Sequence, residues 1–335
     1  MKKTLLTSAA FLAASSALFA QTLNITAPGY SGGKLFDATP GFVIEGLAAA
    51  PGGDVYYLER DSTFATSTKL YRRSALDSYT AATPLFDFLS SPYGSFALWE
   101  NGRVFFGENS TGVVRVLNPD LTTDVLGTVA YNYDAAFAGG SLFLSHNPGG
   151  QNAPQNKVSR YDLLPDGGGG LMLSAEDLII DTPNDYSAPF EISAAGELLY
   201  GGTFARPGIF RFSAAEVAAA TGPLNTLALD SARRIFIGVT SGALALGGPA
   251  QLWQSDFGSL NLLDLGALTS TPVADNVDYG IGQLDSADGR LLVAVTNGSY
   301  DHSAVFLIVP EPSAAALLLT LGLAALTPRR RRRKD

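Results

Sequence analysis

The sequence has no cysteine and only two histidines, His146 and His302. Without cysteine there are no disulfides, thiolate metal sites, thiol nucleophile or lipid-anchored cysteine. Two histidines exclude a multi-histidine metal centre. Charge is also scarce: 16% of the 335 residues are charged, against about 25% in an average soluble protein. Methionine and tryptophan occur twice each. No Gly-x-Ser-x-Gly elbow, His-Glu-x-x-His or calcium-loop spacing is found, and neither Gly32-Gly33-Lys34 nor the Gly167 to Gly170 run has the spacing of a phosphate loop. What is abundant is glycine, 36 residues, alongside 46% hydrophobic residues. That composition excludes disorder and favours many short strands joined by turns.

Both ends read as addresses. Residues 1–20 open with Lys2 and Lys3, continue through an apolar run from Leu5 to Phe19, and end on the small residue Ala20. This is the pattern of a secretory signal peptide cleaved after Ala20, with Leu18 bulkier than usual at the −3 position. The other end has three parts in order: Val309-Pro310-Glu311-Pro312-Ser313, an uncharged run 314–327, and a basic tail 329–334. These parts resemble the PEP-CTERM sorting signal. The resemblance implies export across the inner membrane of a Gram-negative bacterium, transient anchoring there, and processing near the motif by an exosortase. Such systems accompany exopolysaccharide production, which makes an extracellular polysaccharide a candidate partner. Fourteen residues of helix span about 21 Å, short of a hydrocarbon core of about 30 Å, so the expected anchor is weak. Its arginines snorkel and obey the positive-inside rule.

Three domains are therefore expected: a signal peptide over 1–20, a folded domain over 21–308 and the sorting signal over 309–335. Residues 21–310 keep 14 basic and 29 acidic side chains, a net charge of −15. Such a surface repels nucleic acid and anionic lipid.

The folded part repeats. A turn followed by an apolar strand recurs at Val55, Val104, Leu142, Leu198, Ile235 and Leu291, with a mean period of about 47 residues and intervals from 37 to 56. These strands are apolar on both faces, as suits strands covered by a sheet on each side. A second column has an apolar–x–polar step: Leu70-Tyr71-Arg72, Val113-Val114-Arg115, Val158-Ser159-Arg160, Ile209-Phe210-Arg211 and Leu252-Trp253-Gln254. A third sets an apolar pair beside an acid, at Leu85-Phe86-Asp87, Ile179-Ile180-Asp181 and Leu262-Leu263-Asp264. In the fourth repeat Ser213-Ala214-Ala215-Glu216 reads as a capping box opening a helix. With an apolar strand ahead of each turn, the unit has four strands, which predicts an all-β β-propeller of six four-stranded blades. The sixth repeat has only three strands, and Leu35-Phe36-Asp37 matches the missing fourth, so an N-terminal strand is expected to close the ring. The pattern resembles six-bladed propellers of the NHL and SMP-30/gluconolactonase-like kind, in architecture rather than in any motif.

Chemistry is concentrated where the chain enters the inner strands. Asp, Asn and Tyr recur there: Asn132-Tyr133-Asp134, Asn184-Asp185-Tyr186 and Asp275-Asn276-Val277-Asp278-Tyr279, with Glu45, Tyr93 and Asn225 in comparable places. A ring would bring these points to one mouth of the central channel. Two readings stand side by side. Glu45, Asp134, Asp185 and Asp278 could bind Ca²⁺ or another divalent cation through oxygen ligands, as the SMP-30-like resemblance implies for a metal-dependent lactonase. Alternatively, the Asn and Asp residues form turns and the Tyr residues pack between blades. The recurring Arg72, Arg115, Arg160 and Arg211 read as structural partners of acids on neighbouring strands. The favoured function is a non-catalytic surface or matrix binding module; the alternative is an extracytoplasmic hydrolase or lactonase.

Overall fold

The computed structural model describes residues 22–311 apart from 90–92, 151–152, 183–184, 204, 222–224, 240, 249 and 276–278. The expected signal peptide, Asp278, Pro312, Ser313, the apolar run 314–327 and the basic tail lie outside the described residues. Among the described residues no helix is long and apolar enough to cross a membrane.

Six antiparallel sheets form the domain. Blade 1 holds Phe42–Ala49, Val55–Asp61, Lys69–Arg73 and Ala82–Asp87, and blade 2 holds Gly94–Glu100, Arg103–Glu108, Val113–Leu117 and Thr123–Thr128. Blade 3 holds Asn132–Ala138, Ser141–His146, Asn156–Pro165 and Asp177–Thr182, with Leu171–Leu173 extending it as a hairpin. Blade 4 holds Phe190–Ile192, Leu198–Gly202, Gly208–Phe212 and Arg234–Ile237. Blade 5 holds Ala243–Gly248, Gln251–Ser255, Ser259–Asp264 and Thr269–Asp275; blade 6 holds Tyr279–Ala287, Arg290–Asn297 and Ser303–Pro310. The first strand of each blade is innermost, and each touches the next around a closed ring from blade 1 to blade 6 and back. The fold is a six-bladed β-propeller.

Its core is divided. Six apolar clusters each lie between two neighbouring blades, for example Leu58, Leu70 and Phe88 of blade 1 against Val104, Phe106 and Leu117 of blade 2. Leu47 and Tyr57 of blade 1 meet Phe36, Leu292 and Val305 across the junction of blades 1 and 6. Every blade is thus a sheet packed on both faces. That is why the repeats read as continuous apolar strands rather than alternating ones. Backbones approach closely where inner strands converge. A Cβ on Gly46 would sit 2.7 Å from the backbone nitrogen of Ala97 in blade 2. Gly46→Ala is therefore expected to cost about 1–3 kcal/mol by overpacking. Urea unfolding checks this: an unchanged midpoint would show that the blades part freely.

Closure follows the expected route and goes further. Tyr30–Asp37 pairs antiparallel with Ser303–Pro310 as the fourth strand of blade 6, Phe36 opposite Val305. Just before it, Asn24–Ile25 pairs with Thr269–Asp275 as a fifth strand on blade 5. One N-terminal segment therefore sews two blades. The last blade strand also runs through Val309 to Pro310, and the Glu311 N–H donates to the Gly29 carbonyl at 2.8 Å. The first residues of the expected sorting motif thus belong to the folded sheet of blade 6.

One repeat differs from expectation. Arg233 to Ile237 is not the second strand of blade 5; Arg234–Ile237 is the outer strand of blade 4. Leu252-Trp253-Gln254 then belongs to the second strand of blade 5 and Leu262-Leu263-Asp264 to its third. The cause is the helix Ala214–Ala219, whose Ser213/Glu216 capping box forms as expected. It delays the fourth strand of blade 4 to where a second strand was expected. The count of six is unaffected. The structural reading of the arginines holds: Arg72 pairs with Asp54 at 2.6 Å, Arg115 with Glu108 at 2.8 Å, Arg211 with Glu197 at 2.8 Å, and Arg160 with Asp177.

Candidate functional site at the channel mouth

The inner strands start at one face of the ring, and there a cavity of about 490 Å³ opens around the axis. All six blades contribute to its wall. β-Bulges shape it, since each inserts one residue that breaks the alternation and re-aims a side chain. In blade 1 the register shifts between Ile44 and Gly46, in blade 3 between Asn132 and Asp134, and in blade 6 between Ile281 and Gln283. Glu45, Tyr133 and Gly282 are the inserted residues, and all three line the cavity.

Glu45 and Asp134 are brought to this wall as expected. Both are already engaged. Glu45 pairs with Arg60 and accepts the Gly94 N–H of blade 2 at 2.9 Å. Burial pushes its carboxyl up to about 7, against the opposing pull of Arg60. Asp134 accepts the N–H of Ala135 at 2.9 Å and of Phe190, in blade 4, at 3.0 Å. Burial raises it to about 6 despite those two bonds.

Asp185 is not at the mouth. It is fully buried, accepting from the Thr203 hydroxyl and from the Tyr186 N–H at 3.0 Å, and it packs against Tyr200. Its role is to join the segment before blade 4 to that blade's second strand. Asn132 is likewise structural, donating to the carbonyls of Gly112 and Val129. Asn225 lies away from the cavity, bonded to the Thr221 carbonyl. His146 is buried in blade 3, its Nε2 2.9 Å from Ser159 Oγ and 3.2 Å from Glu176.

Of the four residues expected to hold a divalent cation, Glu45 and Asp134 line the cavity, Asp185 is buried elsewhere and Asp278 lies outside the described residues. Among the described residues no three carboxylates or imidazoles gather as ligands. The donor set explains why: Glu45 is neutralised by Arg60, Asp134 is occupied by two backbone donors, and Asp185 faces another part of the fold. Among the described residues, Glu45, Asp134 and Asp185 therefore do not assemble a shared ligand set.

Two channel carboxylates went unnoticed in the sequence. Glu191 lies on the inner strand of blade 4 and Asp285 on that of blade 6. Asp285 accepts the Ala49 N–H of blade 1 and the Ser286 N–H, both at 2.7 Å. Burial lifts it to about 7. Glu191 is lifted well above the ordinary carboxylate range, first by burial and then by repulsion from Asp134 and Asp285. For Glu191 the signal was a lone acid between apolar residues, Phe190-Glu191-Ile192, whereas Asp285 in Gln283-Leu284-Asp285-Ser286 carries no such mark. A common device emerges: Glu45, Asp134 and Asp285 each reach across to an N–H of the next inner strand.

No family model matches the chain, and no curated protein matches its sequence. Solved structures do match. A gluconolactonase from Xanthomonas campestris is 14% identical with a TM-score of 0.53, covering 88% of this chain and 96% of its own. A chain of the mitotic checkpoint complex is 14% identical with a TM-score of 0.55, covering 84% and 93%. The PQQ-bound aldose sugar dehydrogenase of Streptomyces coelicolor is 12% identical with a TM-score of 0.52, covering 84% and 100%. Their functions differ widely, and at these identities the likeness is one of fold.

Proposed function

We propose that the chain is an exported, non-catalytic binding propeller, delivered to the cell surface or extracellular matrix through an exosortase-type sorting tail, with the channel mouth as its binding surface. The observation that carries the reading is the state of the mouth. It is an open cavity built from all six blades, yet its carboxylates are spent on Arg60 and on backbone N–H groups rather than held ready for chemistry. The three-part tail supports export, transient anchoring in the inner membrane and processing, with an extracellular polysaccharide as partner; the net charge of −15 over residues 21–310 argues against nucleic acid.

The sorting half is tested in cells. Deleting Arg329 to Lys334, or replacing Glu311 by Ala, is expected to disturb membrane retention or processing, read by fractionation and mass spectrometry of the exported protein. A tail found intact in the wild type, and unaffected by either change, sinks this half of the proposal.

A further inference from the structure

Two demands meet where the described chain ends. Val309, Pro310 and Glu311 open the motif at which the sorting reading places processing. Val309 and Pro310 also finish the third strand of blade 6, with Glu311 bonded just beyond it. A peptidase acts on chain whose backbone is extended and unpaired, so bonds held in a sheet are cut only after local opening. This strand is paired along both edges through Ile308, and along one edge to its end. On one side Ser303 to Ile308 pair with Thr296 to Leu291. On the other, Leu307, Ile308, Val309 and Pro310 pair with Gly33, Gly32, Ser31 and Tyr30. Pro310 lies past the rung with Leu291, so the N-terminal strand is what holds it.

The sequence builds this latch locally. Pro28-Gly29 makes the turn into the N-terminal strand, and Gly29 has φ of 86°, which a type II turn needs there and glycine supplies without steric cost. The turn is pinned by the Thr26 and Ala27 N–H groups, which donate to the Val273 carbonyl of blade 5 at 2.8 and 3.2 Å. It aims the Gly29 carbonyl at the Glu311 N–H, 2.8 Å away. Hydrogen-bonded pairs alternate along an antiparallel ladder, so the next position, Tyr30 opposite Pro310, calls for no N–H. Proline has none to give and fits there. Gly32 closes the fit, since a Cβ on it would collide with the Leu307 carbonyl oxygen. Ile308 is fully buried in the cluster that Tyr30 and Trp253 share. Pro310 and Glu311 stay exposed, so both are reachable from outside while their backbone is held.

We infer that processing of the tail breaks a peptide bond C-terminal to Glu311, so that Val309, Pro310 and Glu311 stay on the mature protein as the end of blade 6. This rests on the sorting reading and locates its cut. In the step the amide C–N bond breaks. The acyl carbon bonds to the oxygen of water or the nitrogen of an acceptor amine, whose proton passes to the departing nitrogen of the tail. Bonds up to Glu311 are closed to the same attack by their pairing with the N-terminal strand.

Intact-mass spectrometry of the exported protein reads its last residue, and the mass shows whether water or an amine closed the acyl group. A terminus at Glu311 or later is expected. A terminus at Pro310 or earlier overturns the inference and leaves the sorting reading standing, whereas an uncut tail overturns both. The latch itself is tested without any sorting machinery, on the full chain in detergent micelles with thermolysin, which cuts ahead of leucine, isoleucine and valine. Cuts ahead of Leu307, Ile308 and Val309 are expected to be slower than cuts ahead of Leu317 by about tenfold or more, because they wait for the strand to open. A Cβ on Gly29 meets nothing within 4 Å, so Gly29→Ala strains only the left-handed turn. It is expected to speed the strand cuts about fivefold and leave the tail cuts unchanged. Strand cuts as fast as tail cuts, or strand cuts indifferent to Gly29→Ala in a protein that melts as a folded ring, overturn the inference.

Discussion

Removing residues 22–37 is expected to abolish the folded ring. The deletion takes Ile25 and Tyr30 from the cluster they share with Trp253, where the Tyr30 and Trp253 rings meet edge-on at 5.6 Å. It also removes Phe36, which packs against Tyr57 with ring centroids 5.1 Å apart. The third strand of blade 6, with buried Val305, Phe306 and Ile308, becomes an open edge. Losing a buried Phe alone costs about 3–5 kcal/mol, and exposing each further apolar side chain adds about 1.5–3 kcal/mol. Together these rival a net stability of about 5–15 kcal/mol. Phe36→Ala is the graded version, expected to lower the melting temperature without changing the fold. Circular dichroism melts and gel filtration read both variants. A truncated protein that elutes as a monomer and melts where the full chain does would mean that the strand is dispensable.

Acidification from pH 8 to about 5 is expected to stabilise the protein, against the habit of most acidic proteins. Glu45 and Asp285 are raised to about 7 and Asp134 to about 6, from ordinary values of 4.5, 3.8 and 3.8, and Glu191 is raised well above 4.5. Between about pH 4 and 7 the folded state therefore holds protons that the unfolded chain has released, so stability rises as pH falls. Glu176 works the other way: its hydrogen bond from His146 lowers it to about 2. Its contribution is present above about 4.5 and is lost as pH drops toward 2. A stability maximum near pH 4–5 follows. Glu191→Gln isolates the effect, because among the described residues Glu191 takes its backbone hydrogen bond from its own neighbour Ile192 and from no other blade. It is expected to raise the melting temperature by a few degrees at pH 7.5, each kcal/mol moving it by about 2–4 °C, and to change little at pH 4.5. Calorimetry showing a fall at pH 7.5, or an equal gain at both pH values, would refute this account of the channel.

How far the sequence reached depends on which physical cause was at work. The second strands were readable because packing on both faces demands continuous apolar runs, as in Val104-Phe105-Phe106. The closing strand was readable because Leu35-Phe36-Asp37 repeats a pattern whose place in blade 6 stood empty. Blade 5 was misassigned because Arg233 to Ile237 looks locally like a second strand, while its true turn signal, Gly247-Gly248, stands ahead of Gln251. The pairing of Gly208, Ile209 and Phe210 with Ile237, Phe236 and Arg234 resolves it. At the mouth, the density of Asn, Asp and Tyr pointed to the face of the ring where the cavity opens. It could not separate Asp134, which a bulge turns to the cavity, from Asp185, which bonds inward.

The course of the last blade also fixes where the described chain leaves the ring. Its third strand starts at Ser303, beside Tyr300 on the rim, and ends at Pro310 opposite Tyr30. The chain thus leaves the ring on the face away from the cavity, with the Glu311 N–H fastened to Gly29 as a final stitch. Any tether attached beyond Glu311 grips the disc from behind and leaves the cavity facing outward. Load along such a tether falls first on the Glu311–Gly29 bond and then on successive rungs with Tyr30–Asp37 on one side and Arg290–Asn297 on the other. Blade 6 is therefore the mechanical fuse of the ring, and the N-terminal strand is the part it would release.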